Sequence, residues 1–478
     1  MKSSDISEKI IKEFKDKVLN DTLIIQNQEL YNSLSFIKLL DFKVLQLCKC
    51  KLHLQPDLNN ESIVELTIKS CELKTVEGLQ LPNLEVLNLS DNKFTSIQNI
   101  MIMNFTKLRC LNLSNNPKID IFRIQFLVLL KELDLSECML TNIYALQYLV
   151  NLEVLDISKN RSINISKLEN ITSLKILHAN NCGVIDISKL RSLINLEVLD
   201  LGHNNIFDIQ AIQHLAKLTT LDLEHNQHFS VAPLKSLSQL KILKIRSNNV
   251  QDISHLNTLI NLEEFHIMFN YNLNISVIQF WTNLKKLTIV FIDAKNISAL
   301  SNLNKLEELD CSLNTNIDIT PLQYLLNLKI LKIQICWLKS IAQLRPLINL
   351  QQLFLAFNNI CDISPLEPLT KLQKLGLAFN CITDFTPIQQ HPNYQMYFIS
   401  KQRSPTAKEL IISTKIQIVE GINLKHINLN RKMKKLNLDF SVTVKGTNQL
   451  IKQQYYDLIA FTSKIVQLFW SLNSSHYE

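Results

Sequence analysis

Ten cysteines, eleven histidines and 43 carboxylates are the side chains of this 478-residue chain able to do chemistry. Cys48, Cys50 and His53 form the one cluster with metal-ligand spacing. A structural zinc takes four ligands in a tetrahedron, and no fourth candidate stands nearby. His203 and His225 lie 22 residues apart among Asp200, Asp222 and Glu224, a set that would take a metal if the fold gathered it. Six glycines in the whole chain leave no phosphate-cradling G-x-x-x-x-G-K or G-x-G-x-x-G loop, and the zinc-protease, kinase and hydrolase signatures are absent. No catalytic activity and no cofactor are therefore expected.

The elements that position these residues are set by a period. From Leu108 to Leu372 a leucine opening the pattern L-x-x-[LF]-x-[LIAC]-x-x-[NCI] occurs thirteen times, each 22 residues after the last. Leu196-Glu197-Val198-Leu199-Asp200-Leu201-Gly202-His203-Asn204 shows it most clearly, with Ile206, Ile209, Ile212 and Leu215 completing the unit. Earlier units begin at Phe42, Ile63 and Leu84, and a worn one lies around Leu23, Ile25 and Leu30. Such a period means a stack of units, none of which buries its apolar face alone. In the L-x-L core alternate side chains point inward and outward, so each unit supplies one short strand of a parallel sheet.

Eight places after the opening residue stand Asn92, Asn116, Asn160, Asn204, Asn226, Asn248, Asn270, Asn314, Asn358 and Asn380, with Cys50, Cys71, Cys138, Cys182 and Cys336 as alternatives. An asparagine at a buried turn satisfies backbone groups that neither strand nor helix satisfies. Half of the cysteines are thereby committed to the interior as poor nucleophiles and poor disulfide partners. Ile292, also at this position, cannot make the bond, and its coil is expected to have a water in place of the amide or a looser turn.

The pattern resembles the leucine-rich repeat family. Ile185-Asp186-Ile187-Ser188-Lys189-Leu190 and Cys361-Asp362-Ile363-Ser364-Pro365-Leu366 on the outer side are similar to the short-repeat class that includes a regulatory subunit of type-1 protein phosphatase, bacterial internalins and an axonemal dynein light chain. The resemblance implies an α/β repeat solenoid: a horseshoe with a parallel β-sheet on the concave face, short 3-10 and irregular segments on the convex face, and caps at both ends. Residues 1–41 then hold an N-terminal helix and a degenerate cap repeat, 42–390 the solenoid of about sixteen repeats, and 391–478 a basic tail ending in an amphipathic helix.

The formal charge of +7 belongs to the tail, because residues 388–478 hold twelve Lys/Arg and five Asp/Glu while residues 1–387 hold 38 of each. Its densest cluster, Arg431, Lys432, Lys434 and Lys435, reads as a solvated surface, with nucleic acid or a nuclear-import receptor as the competing reading. In the terminal stripe Ile451, Tyr455, Leu458, Thr462, Ile465, Phe469 and Leu472, threonine and aromatics weaken any coiled coil, so intramolecular packing and a monomer are expected. A structural adaptor joined through this helix is the alternative. The start of the chain has no apolar signal-peptide core, and no apolar run approaches the roughly 20 residues of a membrane helix. A cytoplasmic protein is expected, with the nucleus open to it.

The outward strand positions, two, four and six after each opening residue, and the next at seven, carry whatever specificity the face has. Glu132, Asp134, Glu137, Asp156, Asp200, Asp222 and Glu224 make one half acidic, with His178, His203 and His225 among them. From the Leu262 coil onward position seven holds Phe269, Phe291, Leu313, Ile335, Phe357 and Phe379, where the eight coils before carry polar residues. Contiguous apolar surface marks a partner site, and rings packed on one another would produce the same column. Sixteen strands about 4.8 Å apart with a width near 10 Å present roughly 770 Å², comparable to one side of a standard protein interface. The expectation is a protein partner on the concave face, not a small molecule.

Overall fold

The structure is a computed structural model that describes residues 18–30, 40, 42–52, 58–76, 79–96, 105–270 and 273–393. The stripe at 451–472, the basic cluster at 431–435, the N-terminal helix and His53 lie outside the described residues. Beside two small parallel pairs, Glu29–Leu30 with Lys51–Leu52 and Leu58–Asn59 with Leu79–Gln80, eighteen of the described strands form one sheet. Its register steps by the sequence period, with Val198, Leu199 and Asp200 opposite Thr220, Leu221 and Asp222. Leucine at the centre of each three-residue strand is buried, and in Val198–Asp200 its two neighbours stay half-exposed. Thr22–Gln26 pairs in parallel with Val44–Cys48, burying Leu23 and Ile25, so the worn unit forms a strand of the stack. Val18–Leu19 then folds back on it as an antiparallel edge.

From Phe122 to Leu366 each coil crosses the convex side in a 3-10 turn of three to five residues, for example Ser188–Ser192. An Asp, Asn or Ser two residues ahead starts it by accepting a backbone N–H. Asp186 Oδ1 takes that of Ser188 at 2.8 Å, and Asp208 Oδ1 that of Gln210 at 2.8 Å. This local bond is the reason short polar side chains recur there.

The interior is stitched by the asparagine ladder. Asn204 donates to the carbonyls of Ala179, Leu201 and Gly202 at 2.9, 2.9 and 3.1 Å, and its Oδ1 accepts from Cys182 N at 3.0 Å and Val184 N at 2.9 Å. Cysteine keeps the donor half, as Cys182 Sγ reaches Ile157 O at 3.0 Å, and its sulfur is a weaker acceptor, taking the Cys50 amide at 3.4 Å where Cys71 stands. Elsewhere a backbone carbonyl takes the acceptor's place, so Lys118 N bonds Cys138 O at 2.8 Å, Ile163 N bonds Cys182 O at 3.0 Å and Asn316 N bonds Cys336 O at 3.1 Å. At Ile292 the equivalent bond, from Leu273 N, stretches to 3.3 Å, in keeping with a looser turn.

Candidate functional site

Position seven is where each chain leaves the sheet. Its N–H still donates to the next coil, as His203 N does to Glu224 O at 2.7 Å, and its backbone then bends through the left-handed region. Every occupant from Lys49 to Phe379 has φ between 51° and 63°, although none of them is glycine. Asn and Asp tolerate this conformation, whereas a β-branched or bulky residue is costly there. Phe269 (φ 54°), Phe291 (55°), Leu313 (62°), Ile335 (57°), Phe357 (59°) and Phe379 (59°) therefore occupy strained backbone.

Their side chains lean on one another. Phe357 and Phe379 stack with centroids 4.2 Å apart and planes 9° from parallel, and Phe269 meets Phe291 edge-on at 5.5 Å. The four phenylalanines are half-buried, but Leu313 and Ile335 are buried, so the middle of the column is closed to solvent. Position six beside the column is small or apolar and buried on four of the six coils, as Met268, Val290, Ser312 and Ala378, while Gln334 and Ala356 stay half-buried. At the end of the face Phe354 lies over Gly376, where an added Cβ would come 3.2 Å from Phe354 Cδ1. Phe354 was missed from sequence, and its signal was the run of Gly376, Ala356 and Ala378 around it.

The acids share a local role. Asp134 Oδ1 accepts the Ser136 amide at 2.9 Å, Asp156 Oδ1 that of Ser158 at 2.8 Å, Asp200 Oδ1 that of Gly202 at 3.0 Å and Asp222 Oδ1 that of Glu224 at 3.0 Å. Their second oxygens differ. Lys244 Nζ lies 3.1 Å from Asp222 Oδ2, Arg246 Nε lies 2.8 Å from Glu224 Oε1, and Asn180 donates to Asp200 Oδ2 at 2.8 Å. The Arg246 contact is close but misaligned, leaving both atoms without a hydrogen bond. Among the described residues Asp134 Oδ2 accepts from Asn112 alone, at 2.9 Å, and no Lys or Arg pairs with Asp134 or Asp156. The acidic half is thus neutralised at one end by Lys244 and Arg246, two residues that sequence reasoning did not single out, and is uncompensated at Asp134 and Asp156.

Titration follows from these neighbours. Burial, with Asp222 alongside, pushes the Glu224 carboxyl up to about 7 against the pull of Arg246. Asp200 holds a proton on His178 more tightly than usual, while burial works the other way. Burial, helped by Arg246, pulls His266 down to about 4. His203 and His225 stack at 4.4 Å, and no metal-holding group of three such side chains occurs among the described residues.

A family model described as leucine rich repeat matches residues 169–227, and a second, described as leucine rich repeats in two copies, matches 82–125 and 348–390. No curated protein matches. Among solved structures, an internalin of Listeria monocytogenes is 30% identical, with 65% of this chain and 86% of that one covered and a TM-score of 0.55. A leucine-rich repeat protein of Leptospira interrogans is 26% identical over 68% of this chain and 91% of its own, with a TM-score of 0.57. A plant peptide hormone receptor, solved in complex with its ligand, shares the fold at 21% identity, 80% and 66% coverage and a TM-score of 0.51.

Proposed function

Because this chain belongs to the leucine-rich repeat family, we propose that it is a non-catalytic interaction scaffold whose concave face holds a protein partner. The observation that carries this reading is the pair Asp134 and Asp156, in register on adjacent strands and each keeping a carboxylate oxygen that no cation of the described residues engages. A partner with basic side chains satisfies them, and electrostatic complementarity of this kind sets specificity and association rate. We assign Asp200, Asp222 and Glu224 to the same face as its compensated edge. We assign Phe269, Phe291, Phe357 and Phe379 to the apolar end of the contact, where the half-buried rings supply a preformed surface, while Leu313 and Ile335, expected in the same column, are buried and support the rings from within. Regulation of a type-1 protein phosphatase is the specific form suggested by the short-repeat resemblance.

The test is affinity capture from lysate with the intact chain beside a Phe357→Glu, Phe379→Glu variant shown to be folded by circular dichroism. Partners lost from the folded variant alone support the assignment and reveal whether a phosphatase is among them. Identical partner sets remove the aromatic end from the site.

A further inference from the structure

The convex side carries an apolar patch that the concave reading does not use. Asp120 Oδ1 accepts the N–H of Phe122 at 3.0 Å, and Asn142 Oδ1 that of Tyr144 at 2.7 Å. These bonds start two adjacent five-residue turns, Phe122–Phe126 and Tyr144–Tyr148, each with an aromatic ring at its first and last position. Phe122, Phe126, Tyr144 and Tyr148 are 63, 53, 57 and 53% exposed, and Val128, Leu129 and Val150 beside them are about half exposed. On the next three coils the two ring positions hold Ser166 and Asn170, Ser188 and Ser192, and Gln210 and His214. The solenoid needs no aromatics there, because those polar turns have the same five-residue 3-10 form.

We propose that this patch is a self-association surface and that a second copy of the chain covers it. At 150–250 Å² per aromatic residue, the exposed parts of the seven side chains present roughly 650 Å², more than monomers usually leave open and near the roughly 800 Å² per partner of a standard interface. The pattern is also self-complementary. A two-fold axis lying in the interface, between the two turns and parallel to them, sets each residue of one turn against its counterpart on the second copy's other turn. Phe122 then meets Tyr144, Phe126 meets Tyr148, Val128 meets Val150 and Gln125 meets Gln147. Arg123 meets the position of Ala145, so between these two turns no like charges oppose each other. Lys167 stays at the rim, its Nζ 5.1 Å from the centre of the Tyr144 ring. This pairing replaces the monomer expected from sequence, and it leaves the concave face free in both copies.

Sedimentation velocity on the full chain from low to high micromolar concentration tests it. The intact protein is expected to pass from its 55.2 kDa monomer mass to twice that value. A Phe122→Glu, Tyr144→Glu variant places like charges across the axis and is expected to remain monomeric, with unchanged circular dichroism. A Phe122→Glu, Tyr144→Lys variant places opposite charges there and is expected to recover dimer. Phe280→Glu, at a ring more than half exposed on a distant coil, should leave the dimer intact. An intact chain that stays monomeric overturns the proposal, as does a dimer that the double glutamate variant leaves unchanged or that Phe280→Glu also dissolves.

Discussion

Replacing Phe357 by Asn separates two forces acting on one residue. The backbone at φ 59° favours Asn, and relief of left-handed strain stabilises by about 1 kcal/mol. The ring opposes this. A phenylalanine of 150–250 Å² that is mostly buried keeps roughly 130 Å² from water, about 3 kcal/mol at 25 cal/mol per Å². Its stack on Phe379, with ring centroids at 4.2 Å, adds about 1 kcal/mol. The net expectation for Phe357→Asn is a loss of about 3 kcal/mol. Ser247 sits at the same position of an earlier coil with φ 54° and serves as the backbone control. Ser247→Asn should gain up to about 1 kcal/mol. Urea denaturation followed by far-ultraviolet circular dichroism reads both. Equal, stabilising shifts would refute the reasoning, because they would mean that the rings do not hold one another in place.

Ile292→Asn should place an Oδ1 where the ladder accepts the amide 22 residues back, as Asn204 accepts Cys182 N, so hydrogen exchange at the Asn270 amide should slow, while the bond's gain of about 1 kcal/mol is set against the lost burial of the Ile292 side chain. Asn204→Ala strips partners from the buried Cys182 and Val184 amides and from carbonyls on two coils, and should cost more than about 3 kcal/mol in thermal or chemical unfolding. Glu224 makes the protein less stable as pH rises. Below pH 4.5 folded and unfolded chains both hold its proton, and between 4.5 and about 7 the unfolded chain releases it first. Stability measured against Glu224→Gln should therefore fall by about 3 kcal/mol from pH 4.5 to 8 and level off there, and a flat difference would contradict the buried, protonated carboxyl.

The coil period, the inward leucines and the asparagine ladder were legible because the buried side of a repeat tolerates few residue types. The left-handed bend at position seven was not. Glycine or asparagine usually marks such a bend, and here Lys49, Glu137, His203 and Ile335 occupy it, since the fixed hydrogen bonds on either side impose the conformation whatever the side chain. Asp134 and Asp156 were found as acids of the exposed face, but their bonds to the amides two residues on depend on strand-end geometry that spacing does not reveal. Lys244 and Arg246 were overlooked because their pairing with Asp222 and Glu224 crosses between coils 22 residues apart. The partition of the acids into compensated and open ones follows from that pairing and needed coordinates.

The most direct test of concave-face binding is quantitative capture with an Asp134→Asn, Asp156→Asn variant beside the intact chain, across a series of salt concentrations. Asparagine preserves the Oδ1 that accepts the Ser136 and Ser158 amides, so the fold is kept and charge alone is removed. The account predicts that the principal partner binds the intact chain in a salt-sensitive way and binds the variant at least about tenfold more weakly, a loss of about 1.4 kcal/mol. Equal retention of that partner by both proteins at every salt concentration would contradict it.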